Sequence, residues 1–263
     1  MDPKDRIAVV TGAAGGIGSA LVRALVGAGA RLVVATDIAA PTSTESKVLP
    51  RVLDVTDQAA TSALVEEIES GHGPVDLWFA NAGVGGAGQY DAPDSTWERQ
   101  WQVNVMAHVY ATRALMPGWL ARGEGHLVTT ASMAGILTSL GNTVYAATKH
   151  AAVGFAELTA ITYADRGIKV SCICPGAVDT PMLRGALGNA DNAADNASAF
   201  IGGGGVLSAD EAAARVLEGV REDRFLILTH PEMHEYMTRK AGDTDRWIRG
   251  MSRLWARARE MTP

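Results

Sequence analysis

Seven short apolar runs separated by longer helix-patterned stretches constrain this chain more than any other feature. The runs are 6–12, 31–37, 48–55, 75–83, 125–132, 168–176 and 224–230. Several are almost wholly apolar, as strands covered on both faces must be. Between most of them lie stretches such as "GGIGSALVRALVGAG" and "DQAATSALVEEIESGH", in which apolar residues recur at helical spacing and a glycine marks the end. Ser208 and either Asp94 or Ser95 read as helix N-caps. Parallel strands need a crossover of a dozen or more residues, usually a helix. The alternation therefore predicts an α/β fold: a doubly wound parallel sheet of about seven strands, helices on both faces and right-handed connections.

Two segments break the pattern. Residues 38–47 are short and rich in Pro, Ser and Thr, which predicts a connection that is mostly loop. Residues 183–205 are rich in Ala, Asn and Gly, the composition of a lid or a disordered loop. Beyond residue 230 the chain predicts one or two amphipathic helices. Trp247, Ile248, Met251, Leu254 and Trp255 form an apolar stripe there, suited to packing on the core, on another subunit or over a substrate pocket. We expect one domain over 1–230 and a helical extension of it over 231–263.

Composition excludes several classes. Hydrophobic residues make up 47% of 263, enough for a large core. A formal charge of −6 argues against a dedicated nucleic-acid binder. The first residues lack a secretory leader's apolar stretch, and no apolar run approaches the ~18 residues of a membrane span. Cys172 and Cys174, read as pointing to opposite sides of one strand, are expected in the core rather than in a disulfide. No Cys or His pair has zinc-site spacing, so no metal is expected. These features fit a cytoplasmic location.

"TGAAGGIG", residues 11–18, follows the first strand and opens the first helix. Glycines are needed where the backbone turns sharply and where a pyrophosphate approaches it. The helix N-terminus then offers free N–H groups and partial positive charge. The spacing is Gly12-x3-Gly16-x-Gly18, and it makes the predicted sheet a Rossmann-type dinucleotide-binding domain. Asp37 ends the second strand, 19 residues past Gly18. A carboxylate there can accept hydrogen bonds from the adenosine ribose hydroxyls and would repel a 2′-phosphate. Its neighbours Gly15 and Ile38 are uncharged, so NAD is expected rather than NADP.

Tyr145 and Lys149 lie one helical turn apart in "TVYAATKHAAVGFAE". Together with "TGAAGGIG", "NAG" (81–83), Ser132 placed 13 residues before Tyr145, and "PG" (175–176), they give the chain a resemblance to the short-chain dehydrogenase/reductase family over about residues 5–182. The resemblance implies roles. Gly12, Gly16, Ile17 and Gly18 would hold the pyrophosphate and inner ribose. Asp37 would bind the adenosine ribose, with Asp54 and Val55 beside the adenine. Asn81, Ala82 and Gly83 would let the fourth strand approach the cofactor. Pro175, Gly176, Val178 and Thr180 would line the nicotinamide end. Ser132, Tyr145, Lys149 and Asn104 would be catalytic, the backbone carbonyl of Asn104 holding a water that links Lys149 to solvent.

The chemistry needs such residues. Hydride transfer at a carbinol carbon leaves a proton to move, and a free phenol with a pKa near ~10 is a poor base at neutral pH. A neighbouring ammonium and an oxidised nicotinamide favour the phenolate. Lowering the phenol pKa by about 2–3 takes roughly 3–4 kcal/mol. The sequence thus predicts an NAD-dependent oxidoreductase acting on a secondary alcohol or the corresponding ketone. Met133, Leu137, Ala177, Met182, Leu183 and Leu187 are the expected pocket, mostly apolar. The alternative is an NAD(H)-binding sensor or scaffold without turnover, which would need no acid/base. The resemblance further implies a homodimer or homotetramer built through the helices at 95–121 and 143–166.

Overall fold

A computed structural model of the protein describes residues 1–86, 88–187 and 205–260. Seven strands form one parallel sheet: β1 Ile7–Thr11, β2 Leu32–Asp37, β3 Val48–Val52, β4 Leu77–Ala80, β5 Gly125–Thr130, β6 Ile168–Cys174 and β7 Leu226–Leu228. Their spatial order is β3-β2-β1-β4-β5-β6-β7. The chain enters in the middle, runs outward to β3, then returns to lay β4 against the other side of β1, pairing Ala8 with Leu77 and Val10 with Phe79. Strand order reverses between β1 and β4, and ligands of such sheets bind in the crevice beyond the carboxyl ends there.

The alternation of side chains along each strand divides the core in two. Ile7, Val9, Val34, Trp78 and Leu127 face one layer. Ala8, Val10, Val33, Leu77 and Phe79 face the other. Helix α1 (Gly16–Gly27) covers the second layer together with α7 (Ala209–Arg221). The first lies under α2 (Gln58–Gly71), α4 (Ala107–Arg122) and α5 (Thr143–Tyr163). As expected, the connection between β2 and β3 carries no helix. Cys172 and Cys174 are both buried in the first layer. The expected opposite orientation is wrong, because residues two apart on a strand share a face.

Ser208 caps α7 with a full capping box, its Oγ accepting from Glu211 N while Glu211 Oε2 accepts from Ser208 N. Neither Asp94 nor Ser95 caps the helix before α4. Pro93 holds that position, and Asp94 is the first residue of α3 (Asp94–Trp101). Between α3 and α4 lies a π-helical turn, Gln102–Met106, which contains Asn104. After β6 comes α6 (Pro181–Leu187). The expected lid or loop over 183–205 falls mostly outside the described residues. The tail forms two helices, α8 (Met233–Gly242) and α9 (Thr244–Glu260), with Asp243 Oδ1 accepting from Arg246 N at the start of α9. Among the described residues, no helix is long and apolar enough to cross a membrane.

Candidate active site

The carboxyl ends of β1, β4 and β5 are tied together by hydroxyls and amides. Thr11 Oγ1 accepts from Asn81 N (3.0 Å) and Ala82 N (2.9 Å). Asn81 Nδ2 donates to the Thr11 carbonyl at 3.0 Å, and Thr130 Oγ1 donates to Asn81 Oδ1 at 3.3 Å. The glycine loop closes onto this brace. A Cβ on Gly18 would lie 2.0 Å from the Gly12 carbonyl oxygen, and one on Gly12 would lie 2.8 Å from Ala82 Cα. No side chain fits at either position, so the loop backbone closes directly on itself and on the chain after β4. Ile17 is half-buried on the helix layer behind it.

Asp37 is poised beside that loop. Its Oδ2 accepts from Ala14 N at 3.0 Å and its Oδ1 from Ile38 N at 2.8 Å. Leu53 N donates to the Asp37 carbonyl, bringing Asp54 and Val55 to the same edge. There the Asp54 carboxylate folds back on Thr56 N and Oγ1, and Val55 packs on the core. Across the crevice, Gly176 N donates to Thr229 Oγ1 and Val178 is buried. The Thr180 methyl lies 3.1 Å from where a Gly16 Cβ would sit. Pro175 accepts from Met133 N at 2.9 Å, which ties this segment to the turn after Ser132.

Helix α5 presents Tyr145 and Lys149. Asn142 Oδ1 caps it by accepting from Tyr145 N. Lys149 is 3% exposed, donates from Nζ to the Thr130 carbonyl at 2.9 Å, and lies 5.6 Å from the centre of the Tyr145 ring. Ser132 Oγ accepts from Ala134 N, starting the short turn Met133–Gly135. Asn104 is fully buried. Its Oδ1 accepts from Val84 N, while Nδ2 donates to the Val84 carbonyl and to Thr148 Oγ1. The Asn104 side chain is thereby spent on joining the π-turn, the loop after β4 and α5. A Cβ on Gly83 would touch both Asn104 Oδ1 and Lys149 Nζ at 3.4 Å, so the three residues meet at one point.

Electrostatics here depart from the simple expectation. Burial pushes the Tyr145 phenol up from its ordinary value, and the adjacent Ser132 hydroxyl opposes this only in part. Burial also brings the Lys149 ammonium down to about 8. In the protein alone the phenol is thus not made acidic: loss of hydration outweighs what the Ser132 hydroxyl contributes, and the Lys149 ammonium lies 5.6 Å from the ring centre.

The expected substrate residues divide. Met133, Ala177 and Leu183 are half-buried, and exposed Met182 places its Sδ 3.5 Å from where a Gly85 Cβ would be. Leu137 is buried and faces the tail. The Leu187 side chain lies outside the described residues. Thr11, Thr130 and Thr148 also belong to the site and were missed. Each holds a backbone or amide partner in place, a job that leaves no recognisable spacing in the sequence.

A family model described as short chain dehydrogenase matches residues 6–190. The chain belongs to the short-chain dehydrogenase family. Over 238 residues it is 39% identical to 1-deoxy-11-beta-hydroxypentalenate dehydrogenase of Streptomyces avermitilis, covering 86% of this chain and 84% of that one. A short-chain dehydrogenase/reductase of Burkholderia phymatum, solved in complex with NAD, superposes with a TM-score of 0.80 at 28% identity, over 93% of this chain and 96% of that one. A short chain dehydrogenase of Burkholderia cenocepacia, solved with NADP, has the same TM-score at 22% identity and full coverage of both chains; at that identity the likeness is one of fold. Short-chain dehydrogenases thus share this sheet while differing in the dinucleotide bound. The residues of this chain suit such a group: the glycine loop packs backbone against backbone ahead of a helix N-terminus, and the Asp37 carboxylate beside it is fixed by two amides.

Proposed function

We propose that the protein is an NAD-dependent oxidoreductase that moves a hydride between a secondary alcohol, or the corresponding ketone, and the nicotinamide. Its substrate carries an apolar skeleton. The reading rests above all on the meeting of Ser132, Tyr145 and Lys149 beside the glycine cradle. Family membership supports oxidoreduction at a hydroxyl or keto group, and the hydroxypentalenate relative's name supports an apolar substrate. Gly12, Gly16, Ile17, Gly18, Asp37, Asp54, Val55, Asn81, Ala82, Gly83, Pro175, Gly176, Val178 and Thr180 would hold the dinucleotide, which supplies the hydride acceptor or donor when bound.

The chain's own residues handle the proton. Ser132 Oγ donates to the substrate oxygen and orients it. Tyr145 Oη takes the hydroxyl proton in oxidation and returns it in reduction. Lys149 supplies positive charge next to the phenol and, through its remaining N–H groups, a route for the proton. Asn104 fixes the π-turn, whose backbone carbonyl can hold a water beyond Lys149. Asp37 favours NAD, because its carboxylate would repel a 2′-phosphate. The remaining features of the proposal are a cytoplasmic protein, residues 231–263 as an extension of the single domain, and a homodimer or homotetramer. Leu158 and Ile161 on α5, 65% and 70% exposed, support the last.

Tyr145→Phe tests the assignment. It should leave NADH binding, followed by cofactor fluorescence, within about twofold, and lower turnover by roughly 10²–10⁴-fold, the usual worth of a positioned acid/base. Turnover retained in the variant would remove Tyr145 from the mechanism. A wild type that binds NADH yet oxidises no secondary alcohol would favour a sensor.

A further inference from the structure

The tail leaves an open groove that the site above does not use. Between α9 and the segment joining Ser132 to Tyr145 lies a groove of ≈ 420 Å³. Leu137 and Leu140 form one wall; Trp247, Ile248, Met251 and Trp255 form the other. Three hydroxyl side chains, Thr138, Thr244 and Ser252, complete the lining with one charged group, Lys240. Its volume and apolar lining fall within the range of small-molecule sites, in a groove that stays open to solvent. Ile248 is 58% exposed, so the apolar stripe of α9 is not consumed by packing on the body of the protein.

Lys240 gives the groove its chemistry. Its Nζ donates to the Ile136 carbonyl at 2.7 Å and to the Leu137 carbonyl at 2.8 Å. Two of its three N–H groups are used, and one is left for a ligand. Among the described residues no carboxylate pairs with it, and burial alone pulls its pKa down. Partly buried charges are ordinarily paired, because two carbonyl dipoles do not replace hydration of a full charge. An apolar groove with one unneutralised ammonium on its wall complements an apolar molecule that ends in an anion. The two carbonyls that hold Lys240 lie four and five residues after Ser132, so the groove is anchored to the turn that carries the catalytic serine.

We propose that this groove binds an apolar carboxylate, with the carboxylate on Lys240 Nζ and the carbon skeleton against Trp247, Met251 and Trp255. Resting on the oxidoreductase reading above, this makes the substrate class an apolar hydroxy or keto acid. The tail is then the element that selects it.

The test measures binding without cofactor or turnover, so it can fail separately from the oxidoreductase reading. Adamantane-1-carboxylate and adamantane-1-carboxamide are titrated into the full chain, read by quenching of tryptophan fluorescence. The carboxylate should bind at least tenfold tighter. Lys240→Gln keeps hydrogen-bond donors for the Ile136 and Leu137 carbonyls but removes the charge, and should bring the ratio to about one. Lys240→Arg keeps the charge and should preserve a preference for the carboxylate. Trp247→Phe combined with Trp255→Phe should abolish the quenching. Equal binding of the two probes to the wild type would overturn the proposal, a result that needs no variant to fold. A preference that survives Lys240→Gln, or quenching that survives loss of both tryptophans, would overturn it as well; Lys240 would then only fasten the tail.

Discussion

Asp37 shows how one side chain can be committed before a ligand arrives. Its two oxygens are held by the amides of Ala14 and Ile38, so the carboxylate is ordered at the edge of the glycine loop. Hydrogen bonds to a charged group contribute about 1.5–3 kcal/mol, and 1.4 kcal/mol is tenfold. Asp37→Ala should therefore raise the KM for NAD by about tenfold or more. It also removes the charge that would repel a 2′-phosphate and frees the two N–H groups that Asp37 now occupies, so the preference for NAD over NADP should fall at least tenfold. Comparing kcat/KM for both dinucleotides checks this; an unchanged ratio would place the ribose elsewhere. Lys149 teaches the opposite lesson. Its spacing from Tyr145 is plain in the sequence, yet the direction in which burial moves the phenol is not, because spacing carries no information about hydration. The ammonium is held by the Thr130 carbonyl and lies over the ring, so its effect on the phenol depends on what else fills the site.

Between residue and fold, the turn Met133–Gly135 sets the distance between Ser132 and α5. Gly135 packs directly on that helix: a Cβ there would lie 2.4 Å from the Lys149 carbonyl oxygen, a backbone atom that cannot swing aside. Gly135→Ala must displace either the turn or the helix. We expect a loss of about 1–3 kcal/mol, typical of overpacking, together with at least a tenfold fall in kcat, while NADH binding at the distant glycine loop changes little. Melting temperature and steady-state kinetics read the two effects; an unchanged kcat would show that Ser132 is positioned from elsewhere. At this scale the sequence was legible where periodicity or capping decides. All seven strands, the loop at 38–47 and the Ser208 cap follow from local pattern. It was illegible where tertiary contact decides. Nothing in "WQVNVMA" marks a π-turn, which is held from outside by the Asn104 bonds to Val84 and Thr148. Leu137 reads equally well as pocket or core, and Lys240 reads as one more basic residue on an amphipathic helix until the loop carbonyls come round to meet it.

At the scale of the whole molecule, two buried histidines predict an acid sensitivity that neither site does. His108, on α4, and His126, on β5, lie on elements that sandwich the same layer of the core, and both are buried. Burial holds the His108 imidazole at a pKa of about 3, with Lys149 pushing the same way and the Ala80 backbone opposing only in part. Burial likewise brings His126, whose Nε2 meets Ser171 Oγ at 2.9 Å, to about 3. An unfolded histidine titrates near ~6.5. Between those values the unfolded chain binds protons that the folded chain refuses, so stability must rise with pH in that window and fall as pH drops through it. Above about pH 7 the effect vanishes, because both states are neutral. Glu124 and Asp223, whose pKa values are lowered by Arg6 and by Lys169 with the chain's amino terminus, contribute in the same direction but lower, near the ordinary carboxylate range. From pH 6.5 to 4.5 the imidazoles therefore dominate. Each proton refused costs about 1.4 kcal/mol per pH unit, and two of them over that span approach the ~5–15 kcal/mol that holds a domain together. Urea midpoints measured at pH 8, 7, 6 and 5 should be level for the first two and then fall with a slope approaching two protons. His126→Gln, which keeps a polar contact for Ser171 without a titrating ring, should remove about one proton from that slope. A midpoint independent of pH down to 5 would mean that the two imidazoles accept protons in place, and that the core around α4 and β5 is wetter than its packing implies.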